Sequence, residues 1–534
     1  MKQKELIGFQ GLESYKALCS LAESPIDLTQ PGVLNRERIN QMVSSACGIK
    51  MLYATERVTE GVIAALLRLA EESRLIEKLQ SMYSGDVINH IEGYPSDCRA
   101  VLHVAVRDFF GESICQSSAL DAMVLAKEEF NRLEYFIKKI NSTDRFTDLV
   151  FVGIGGSELG PKTLYSSLPA YYRSDRKVHF LCNLDPDNAS RIARDIDLKK
   201  TMVVVASKSG TTLETVTNER YMRFMFEEAG LDPKDHFVSV SCTGTPMDDK
   251  NMYLECFHIW DYVGGRFSLT SMIGGVMLAF GLGIDVYREI LRGANAMDRA
   301  VLNRDIRKNP AMLAALLAVW NRNFLNYPGL AVVPYSDAMR GFCAYIQQVE
   351  MESNGKRIDR LGHLVDFNTC PLVFGEPGPN AQHSFFQLLH QGTNITPVEF
   401  MGFKESQFGD DLEIDHSTSQ DKLLANLFAQ SIALATGKQS DNPNQAFPGN
   451  RPSHILLSKR LDPYTLGALL SFHEHKAAFQ GFIWNINSFD QEGVQLGKVL
   501  ANRIIDLMVA RRKGESGPGM YAEGEAYLDQ IESM

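Results

Sequence analysis

The stretch DLVFVGIGGSELGPKTLY, residues 148–165, decides the fold class together with KKTMVVVASKSGTTLETVTNERY, residues 199–221. Each stretch joins a short apolar run to a turn rich in glycine or hydroxyl side chains and then to a helical pattern. Such strand–turn–helix units are typical of layered α/β domains, whose parallel strands are buried on both faces and therefore continuously apolar. We predict an α/β fold with mainly parallel sheets.

Similar apolar runs predict the other strands. The runs are Leu149–Ile154, Val178–Asn183, Met202–Ala206 and Phe237–Ser241, followed by a second set at Gly329–Tyr335 and Leu372–Gly375. The first part of the chain carries helical spacing and no clear strand signal. A chain of 534 residues exceeds the roughly 250–300 residues that one hydrophobic core supports, which favours two domains.

We therefore predict two layered α/β/α domains with helical extensions at both ends. The predicted divisions are a helical segment packing on the second domain (1–115), a first, smaller domain (116–285), a second, larger domain (286–513) and a C-terminal tail (514–534). Ligand sites of open parallel sheets lie at the carboxyl ends of the strands. The site is expected between the two domains.

Composition excludes several classes of function. A net charge of −11 argues against nucleic acid as a partner, because binding to phosphates needs a basic face. The amino terminus lacks the apolar run of a secretory signal, and the uncharged run Phe267–Ile284 reads as a buried core helix rather than a membrane span. Nine scattered cysteines without a Cys-x-x-Cys pair predict reduced, mostly buried thiols, so a cytoplasmic location is expected.

The turn Ser207–Thr212 predicts an anion site. Its hydroxyls and the ammonium of Lys208 surround a helix amino terminus, where free N–H groups and the helix dipole favour negative charge. The Gly-Lys-Ser/Thr order of a nucleotide-binding loop is absent, so a phosphomonoester fits better than a nucleoside triphosphate. The alternative is a capping box in which the Thr211 side chain caps the helix and the Glu214 side chain bonds back to the backbone N–H of Thr211.

The glycines at 153, 155 and 156, followed by Ser157, mark a place where the backbone approaches a ligand or a neighbouring element closely. Their spacing is similar to a dinucleotide-binding turn. No clear acidic residue follows the next strand, which leaves tight packing of helix against sheet as the main alternative.

Six separated segments then occur in an order similar to that of the phosphoglucose isomerase family: GIGGSELGP, SKSGTTLET, WDYVGGRFSLTS, QQVEMESNGK, GEPGPNAQHSFFQLLHQGT and FDQEGVQLGK, with LHVAVRD near residue 103 as an earlier match. The departures are small: many members carry SKTFTTQET at the second segment, and Glu rather than Gln495 at the last. The resemblance implies two sugar-isomerase-type domains and the interconversion of glucose 6-phosphate and fructose 6-phosphate in glycolysis and gluconeogenesis. It also implies no cofactor or metal, and a homodimer in which His383 crosses the subunit interface.

The resemblance also assigns roles to residues. Glu352 is the base that moves a proton through an enediolate, Arg266 stabilises the charge that develops, and His383 and Lys498 open the sugar ring. The residues that it places around the substrate and its phosphate are Gly156, Ser157, Ser207, Lys208, Ser209, Thr211, Thr212, Thr215, Gly265, Gln348 and Gln491.

Helix geometry adds its own expectations. Glu352 and Gln348 share a face of a helix starting near Ala338, whereas Glu350 is read as a solvated surface residue. His383 is expected to open a helix, and His390 to pack within it. Gln491 and Lys498 are expected on one face of a helix.

Other functions remain open at this point. One is a different member of the fold, such as the isomerase domain of an amidotransferase, which would need an amino-terminal cysteine nucleophile, and the first cysteine here is Cys19. Another is an isomerase of a different aldose or ketose phosphate. A third is a catalytically inactive phosphosugar-binding regulator, against which the joint presence of Glu352, Arg266, His383 and Lys498 argues.

Overall fold

The structure is a computed structural model that describes residues 8–143, 145–515 and 521–534. It divides into a first unit that ends at Ser488 and a second unit, Phe489–Met534. The strands in the described residues are β1 Val43–Ala46, β2 Ile49–Leu52, β3 Val87–Asn89, β4 Arg99–Ala100, β5 Asp148–Val152, β6 Lys177–Leu181, β7 Thr201–Ala206, β8 Phe237–Cys242, β9 Glu255–Ile259, β10 Gly329–Pro334, β11 Leu372–Gly375, β12 Val398–Glu405, β13 Glu413–Ile414, β14 Ser417–Thr418 and β15 Ser453–Arg460.

The helices of the first unit are α1 Glu13–Ala22, α2 Arg36–Gln41, α3 Glu60–Glu72, α4 Leu75–Ser84, α5 Ser118–Asn141, α6 Leu159–Ser166, α7 Pro186–Asp195, α8 Leu213–Glu228, α9 Met272–Gly281, α10 Ile284–Ala300, α11 Pro310–Val319, α12 Arg340–Gln347, α13 Gly378–Gln382, α14 Phe386–Gln391, α15 Ser419–Thr436 and α16 Pro463–Trp484. Those of the second unit are α17 Gln495–Lys513 and α18 Ala522–Glu532.

Five parallel strands form the first sheet, in the order β6-β5-β7-β8-β9. The chain runs from β5 to β6 on one side and then crosses to β7 on the other side of β5. The strand order therefore reverses between β5 and β7, and ligand sites of such sheets lie outside the carboxyl ends of the strands at this reversal.

The second sheet has the order β1-β2-β15-β12-β10-β11. Four of its six strands, β10, β11, β12 and β15, are parallel to one another, whereas β2 pairs with β15 in the antiparallel direction. Its order reverses in the same way, because β10 is followed by β11 on one side and by β12 on the other. The predicted α/β class with mainly parallel sheets is confirmed.

The expectation that the first hundred residues hold no strand is wrong. Val43–Ala46 and Ile49–Leu52 form a hairpin whose turn places Cys47 and Gly48 at φ 52° and 77°. The hairpin extends the second sheet through β15, so its short and partly polar strands gain their stability from tertiary pairing that no local pattern reveals. Strands β9, β12 and β15 were also not predicted, because polar residues, charged residues or glycine leave their apolar runs short.

Helix α16 runs through the centre of the first unit, and nearly all of its residues are buried. Its run His473–Lys476 carries four polar side chains of which none is exposed to solvent. Helix α9, within the uncharged run Phe267–Ile284, is also fully buried. Among the described residues, no helix is both long and apolar enough to cross a membrane.

The second unit consists of α17 and α18, which pack on each other through Leu507, Ala510 and Leu528. Arg511 forms ion pairs with Asp529 and Glu532. The predicted tail therefore contains an eleven-residue helix, Ala522–Glu532, rather than irregular chain alone. The domain boundaries given above remain predictions.

Candidate functional site

The turn after β5 and the loop after β9 pack closely against each other at two glycines, Gly156 and Gly265. A Cβ on Gly156 would lie 2.3 Å from the carbonyl carbon of Gly265, so only glycine permits this approach of the two backbones. The hydroxyl of Ser268 donates hydrogen bonds to the carbonyls of Gly156 and Gly265. The close approach expected of Gly156 is thus made to a neighbouring loop, and Ser157 lies half-buried beside it.

The turn after β7 leads into α8 without the predicted capping box. The helix begins at Leu213, its N-cap residue is Thr212 rather than Thr211, and no side chain caps it. Instead, Thr211 donates its hydroxyl hydrogen to Ser209, and Ser207 lies 3.1 Å from Thr212 between hydroxyl oxygens. The first turn of the helix keeps its N–H groups for another partner.

Thr215 lies one turn into α8. It is buried, and its hydroxyl makes no hydrogen bond with any part of the chain that the structure describes. A buried hydroxyl without a partner is costly, so this position calls for a ligand or water.

Lys208 does not point freely into solvent. Its ammonium donates hydrogen bonds to the carbonyls of Asp261 (2.7 Å) and Val263 (3.1 Å), which ties the turn after β7 to the loop after β9. Burial lowers the pKa of Lys208, and the nearby Asp261 carboxylate opposes this effect.

Arg266 lies at the end of the loop after β9, and its guanidinium is buried. Its Nε donates to Ser353 (2.7 Å) and one terminal nitrogen to the carbonyl of Ser488 (2.5 Å). The other terminal nitrogen is 3.7 Å from Oε1 of Glu352. The guanidinium of Arg266 therefore connects the loop after β9 of the first sheet to the segment after β10 that contains Glu352 and Ser353.

Glu352 is the predicted base, and its side chain is 24% exposed. Its Oε2 is buried and has no hydrogen-bond partner among the described residues. One carboxylate oxygen thus faces a fixed cation while the other is free to accept a proton.

Gln348 and Glu352 do not continue an α-helix, as the sequence had led us to expect. Helix α12 ends at Gln347, and Gln348–Glu352 form a π-helical turn. Such wide turns are frequent at functional sites. The side-chain oxygen of Gln348 is also buried without a partner in the described residues.

The prediction that Glu350 is a solvated surface residue is wrong. Its side chain is buried, and its Oε1 lies 3.2 Å from the ammonium of Lys476 in α16. Lys476 also binds Glu399 at 3.1 Å. Burial raises the pKa of Glu350, and the shared ammonium counteracts this only in part.

His383 closes the short helix α13 rather than opening a helix. It is exposed, and its side chain makes no hydrogen bond or ion pair with the described residues. His390 in α14 packs as expected: its Nε2 lies 2.8 Å from Gln430 and its ring contacts Phe447.

Gln491 and Lys498 belong to the second unit. Helix α17 begins at Gln495, so the expectation that both residues share one helix is wrong for Gln491, which precedes it. Both residues are exposed within their unit.

Several residues around Glu352 were missed. Asn354 donates to the carbonyl of Ala477 (2.9 Å) and to the side chain of Gln480 (3.0 Å), and it accepts from Ser488. No local pattern in the sequence marks this contact. The charged run HEHK (473–476) inside the apolar helix α16 signals a different one, the pairing of Lys476 with Glu350, since charges in such surroundings are buried only when paired.

The cysteines are less buried than predicted. All nine carry free thiols, and Cys115, Cys256 and Cys343 are the ones that are buried. No group of three or more His, Cys, Asp or Glu side chains in the described ranges has an arrangement that could hold a metal ion.

Comparison with known proteins identifies the class to which this fold and site belong. Residues 52–517 match the family described as Phosphoglucose isomerase. The chain belongs to the phosphoglucose isomerase family.

Individual relatives match over nearly their whole length. The glucose-6-phosphate isomerase of Protochlamydia amoebophila (strain UWE25) is 54% identical over 98% of this chain and 97% of its own. That of Chlamydia pneumoniae is 52% identical over 94% and 95%. The crystal structure of a glucose-6-phosphate isomerase from Chlamydia trachomatis D/UW-3/Cx has a TM-score of 0.94 and 48% identity, covering 98% of this chain and 99% of that one.

Proposed function

We propose that this chain interconverts glucose 6-phosphate and fructose 6-phosphate by ring opening and proton transfer, with Glu352 as the base. The assignment of the reaction, which belongs to glycolysis and gluconeogenesis, rests on membership of the phosphoglucose isomerase family. The contact between Arg266 and Glu352 supports their proposed roles as charge stabiliser and base, because it places a fixed positive charge beside a carboxylate that has one oxygen without a hydrogen-bond partner.

The reaction moves one proton from C2 to C1 and a second proton from O2 to O1 of the open-chain sugar. Glu352 takes the C2 proton through its unpartnered oxygen and returns it to C1, as a positioned general base. Negative charge develops on the two enediolate oxygens between these steps. The guanidinium of Arg266 is held in advance by Ser353 and Ser488, so it stabilises that charge without reorganising.

The phosphate is anchored at the turn after β7. The uncapped first turn of α8, the hydroxyls of Ser207, Ser209, Thr211 and Thr212, and the unpartnered hydroxyl of Thr215 support this assignment. Ser157, Gly156, Gly265 and Gln348 surround the sugar, and Gln491 completes the phosphate end. Lys208 contributes by fixing the turn and adding positive charge.

Ring opening is assigned to His383 and Lys498. Each is exposed in its own unit, so each is available to a substrate or to another chain. We propose a homodimer in which His383 completes the site of the partner subunit, and a cytoplasmic location with no nucleic-acid or membrane partner. No metal or organic cofactor is assigned to the reaction.

An assay of the purified chain tests the function. Glucose 6-phosphate, fructose 6-phosphate and mannose 6-phosphate are supplied separately, and each product is measured by a coupled dehydrogenase. We expect turnover between the first two substrates that survives treatment with a chelator. Turnover of a different sugar phosphate alone would replace the proposed substrate, and absence of turnover with retained binding would favour a phosphosugar-binding regulator.

A further inference from the structure

The π-helical turn that carries Glu352 is fastened to helix α16 at two points. On one side of Glu352, the carboxylate of Glu350 meets the ammonium of Lys476 at 3.2 Å. On the other side, Asn354 donates hydrogen bonds to the carbonyl of Ala477 and to Oε1 of Gln480. Lys476 and Gln480 are one helical turn apart, so one face of α16 holds both points.

All of these side chains are withdrawn from solvent. Glu350, Asn354, Lys476 and Gln480 are each fully buried. Buried charged and amide groups that make specific pairs tolerate little displacement, because a shift leaves them without partners. The turn therefore has a fixed position relative to α16.

We infer that Lys476 and Gln480 are positioning residues for proton transfer: they hold the turn 348–352 so that the carboxylate of Glu352 keeps its place beside Arg266. Neither residue touches the substrate, and both act through Glu350 and Asn354. This inference rests on the proposed role of Glu352.

Lys476 is itself fixed from a second side. Its ammonium also contacts Glu399 at 3.1 Å, and Glu399 accepts from His454, whose other ring nitrogen lies 2.9 Å from Glu56. Glu399 lies in β12 and His454 in β15 of the second sheet. A series of buried ion pairs thus connects the turn that carries Glu352 to the second sheet.

The test compares Lys476→Met, Glu350→Gln and Gln480→Leu with the unmodified enzyme. We expect kcat to fall by about 10²-fold for Lys476→Met, the loss typical of a misplaced catalytic group, and less for Glu350→Gln, whose amide loses the ion pair but keeps an oxygen beside Lys476. KM should change little, because the phosphate anchor lies on the first sheet. The deuterium isotope effect on kcat with [2-²H]glucose 6-phosphate should rise as proton transfer becomes slower than the other steps.

A purely structural role predicts a different result. It would reduce the fraction of folded enzyme, measured as the number of sites that bind sorbitol 6-phosphate in calorimetry, and would leave kcat per site and the isotope effect unchanged. That outcome, or unchanged kcat in all three variants, overturns the inference. If Lys476→Met does not fold, kcat per site and the isotope effect of Glu350→Gln and Gln480→Leu distinguish the positioning role from the structural one in the same way.

Asp148→Asn serves as the matched control. Asp148 is the first residue of β5, at the end of the strand opposite to the site, and it pairs with His179 of β6 at 2.9 Å. It should leave kcat and the isotope effect unchanged. Absence of turnover in the unmodified enzyme would refute the proposed function instead, so the two failures are distinguishable.

Discussion

At the scale of single residues, the proposed mechanism gives Arg266 the role of a fixed positive charge and Glu352 that of the group that moves the proton. The guanidinium is buried and tied to Ser353 and Ser488, whereas the carboxylate is partly open to solvent. A buried cation whose hydrogen bonds are already made is suited to stabilise charge that appears only in the transition state.

Replacing Arg266 by Met should therefore lower kcat by about 10²–10³-fold, the usual cost of removing one such group. Steady-state kinetics measures it, with circular dichroism to establish that the variant folds. Arg266→Lys should recover only part of the loss, because an ammonium cannot reach Ser353, Ser488 and Glu352 at once. Full activity in a folded Arg266→Met would remove this residue from its role.

The buried His473 predicts how stability depends on pH. Burial lowers the pKa of His473 to about 3, although Glu399 lies 3.6 Å away. In the unfolded chain the imidazole titrates near a pKa of about 6.5, so below that pH the unfolded state binds a proton that the folded state does not. The stability from this group is present above about pH 6.5 and is lost as pH falls toward about 3.

Replacing His473 by Gln should make unfolding less sensitive to acid. The free energy of unfolding of the unmodified chain should fall by up to about 1.4 kcal/mol more per pH unit than that of the variant below about pH 6. Urea unfolding at pH 7 and pH 5.5 measures the difference. Equal pH slopes would show that folding does not lower the pKa of His473.

At the scale of elements, the turn after β5 and the loop after β9 depend on the contact of Gly156 with Gly265. A methyl group at residue 156 would overlap the backbone of Gly265, which cannot move aside as a side chain can. Gly156→Ala should cost about 1–3 kcal/mol of stability, as overpacking does, and should raise KM by displacing Ser157.

Thermal unfolding and steady-state kinetics test this variant. Gly61→Ala in α3 is the control, because a Cβ there meets its neighbours no closer than 3.7 Å. It should be neutral or slightly stabilising, since alanine favours helix. A stable, fully active Gly156→Ala would contradict the proposed packing.

The elements that the sequence predicted well are those with strong local patterns. Strands β5 and β7 are unbroken apolar runs with a clear turn after each, so their position could be predicted, and with it the place of the candidate site at their carboxyl ends. Strand β2 could not, because its stability depends on pairing with β15, which is distant in sequence. The burial of Glu350 was missed for the same reason: its partner Lys476 lies on another element, and a helical glutamate carries no local sign of it.

At the scale of the whole molecule, the proposed homodimer implies shared sites. Mixing Glu352→Gln subunits with His383→Gln subunits should then restore activity, because one site of each mixed dimer combines an intact Glu352 with an intact His383. With random reassortment, about a quarter of the sites should be active in a symmetric dimer. The coupled assay, before and after mixing and gentle dissociation, measures this restoration.

Two results would contradict shared sites. One is a monomer in sedimentation analysis that is fully active. The other is a mixture that stays as inactive as its two components although mixed dimers have formed.

The role of Glu352 as the proton-transferring base is tested most directly by the release of deuterium from [2-²H]glucose 6-phosphate into water, compared between the unmodified enzyme and Glu352→Gln. The proposed mechanism predicts that the unmodified enzyme releases part of the label, because a carboxylate carries the proton and exchanges it with solvent. Glu352→Gln should release it about 10²–10⁴-fold more slowly, since an amide cannot accept the proton. Equal rates in the two proteins, or complete transfer of the label to C1 by the unmodified enzyme, would contradict this role of Glu352.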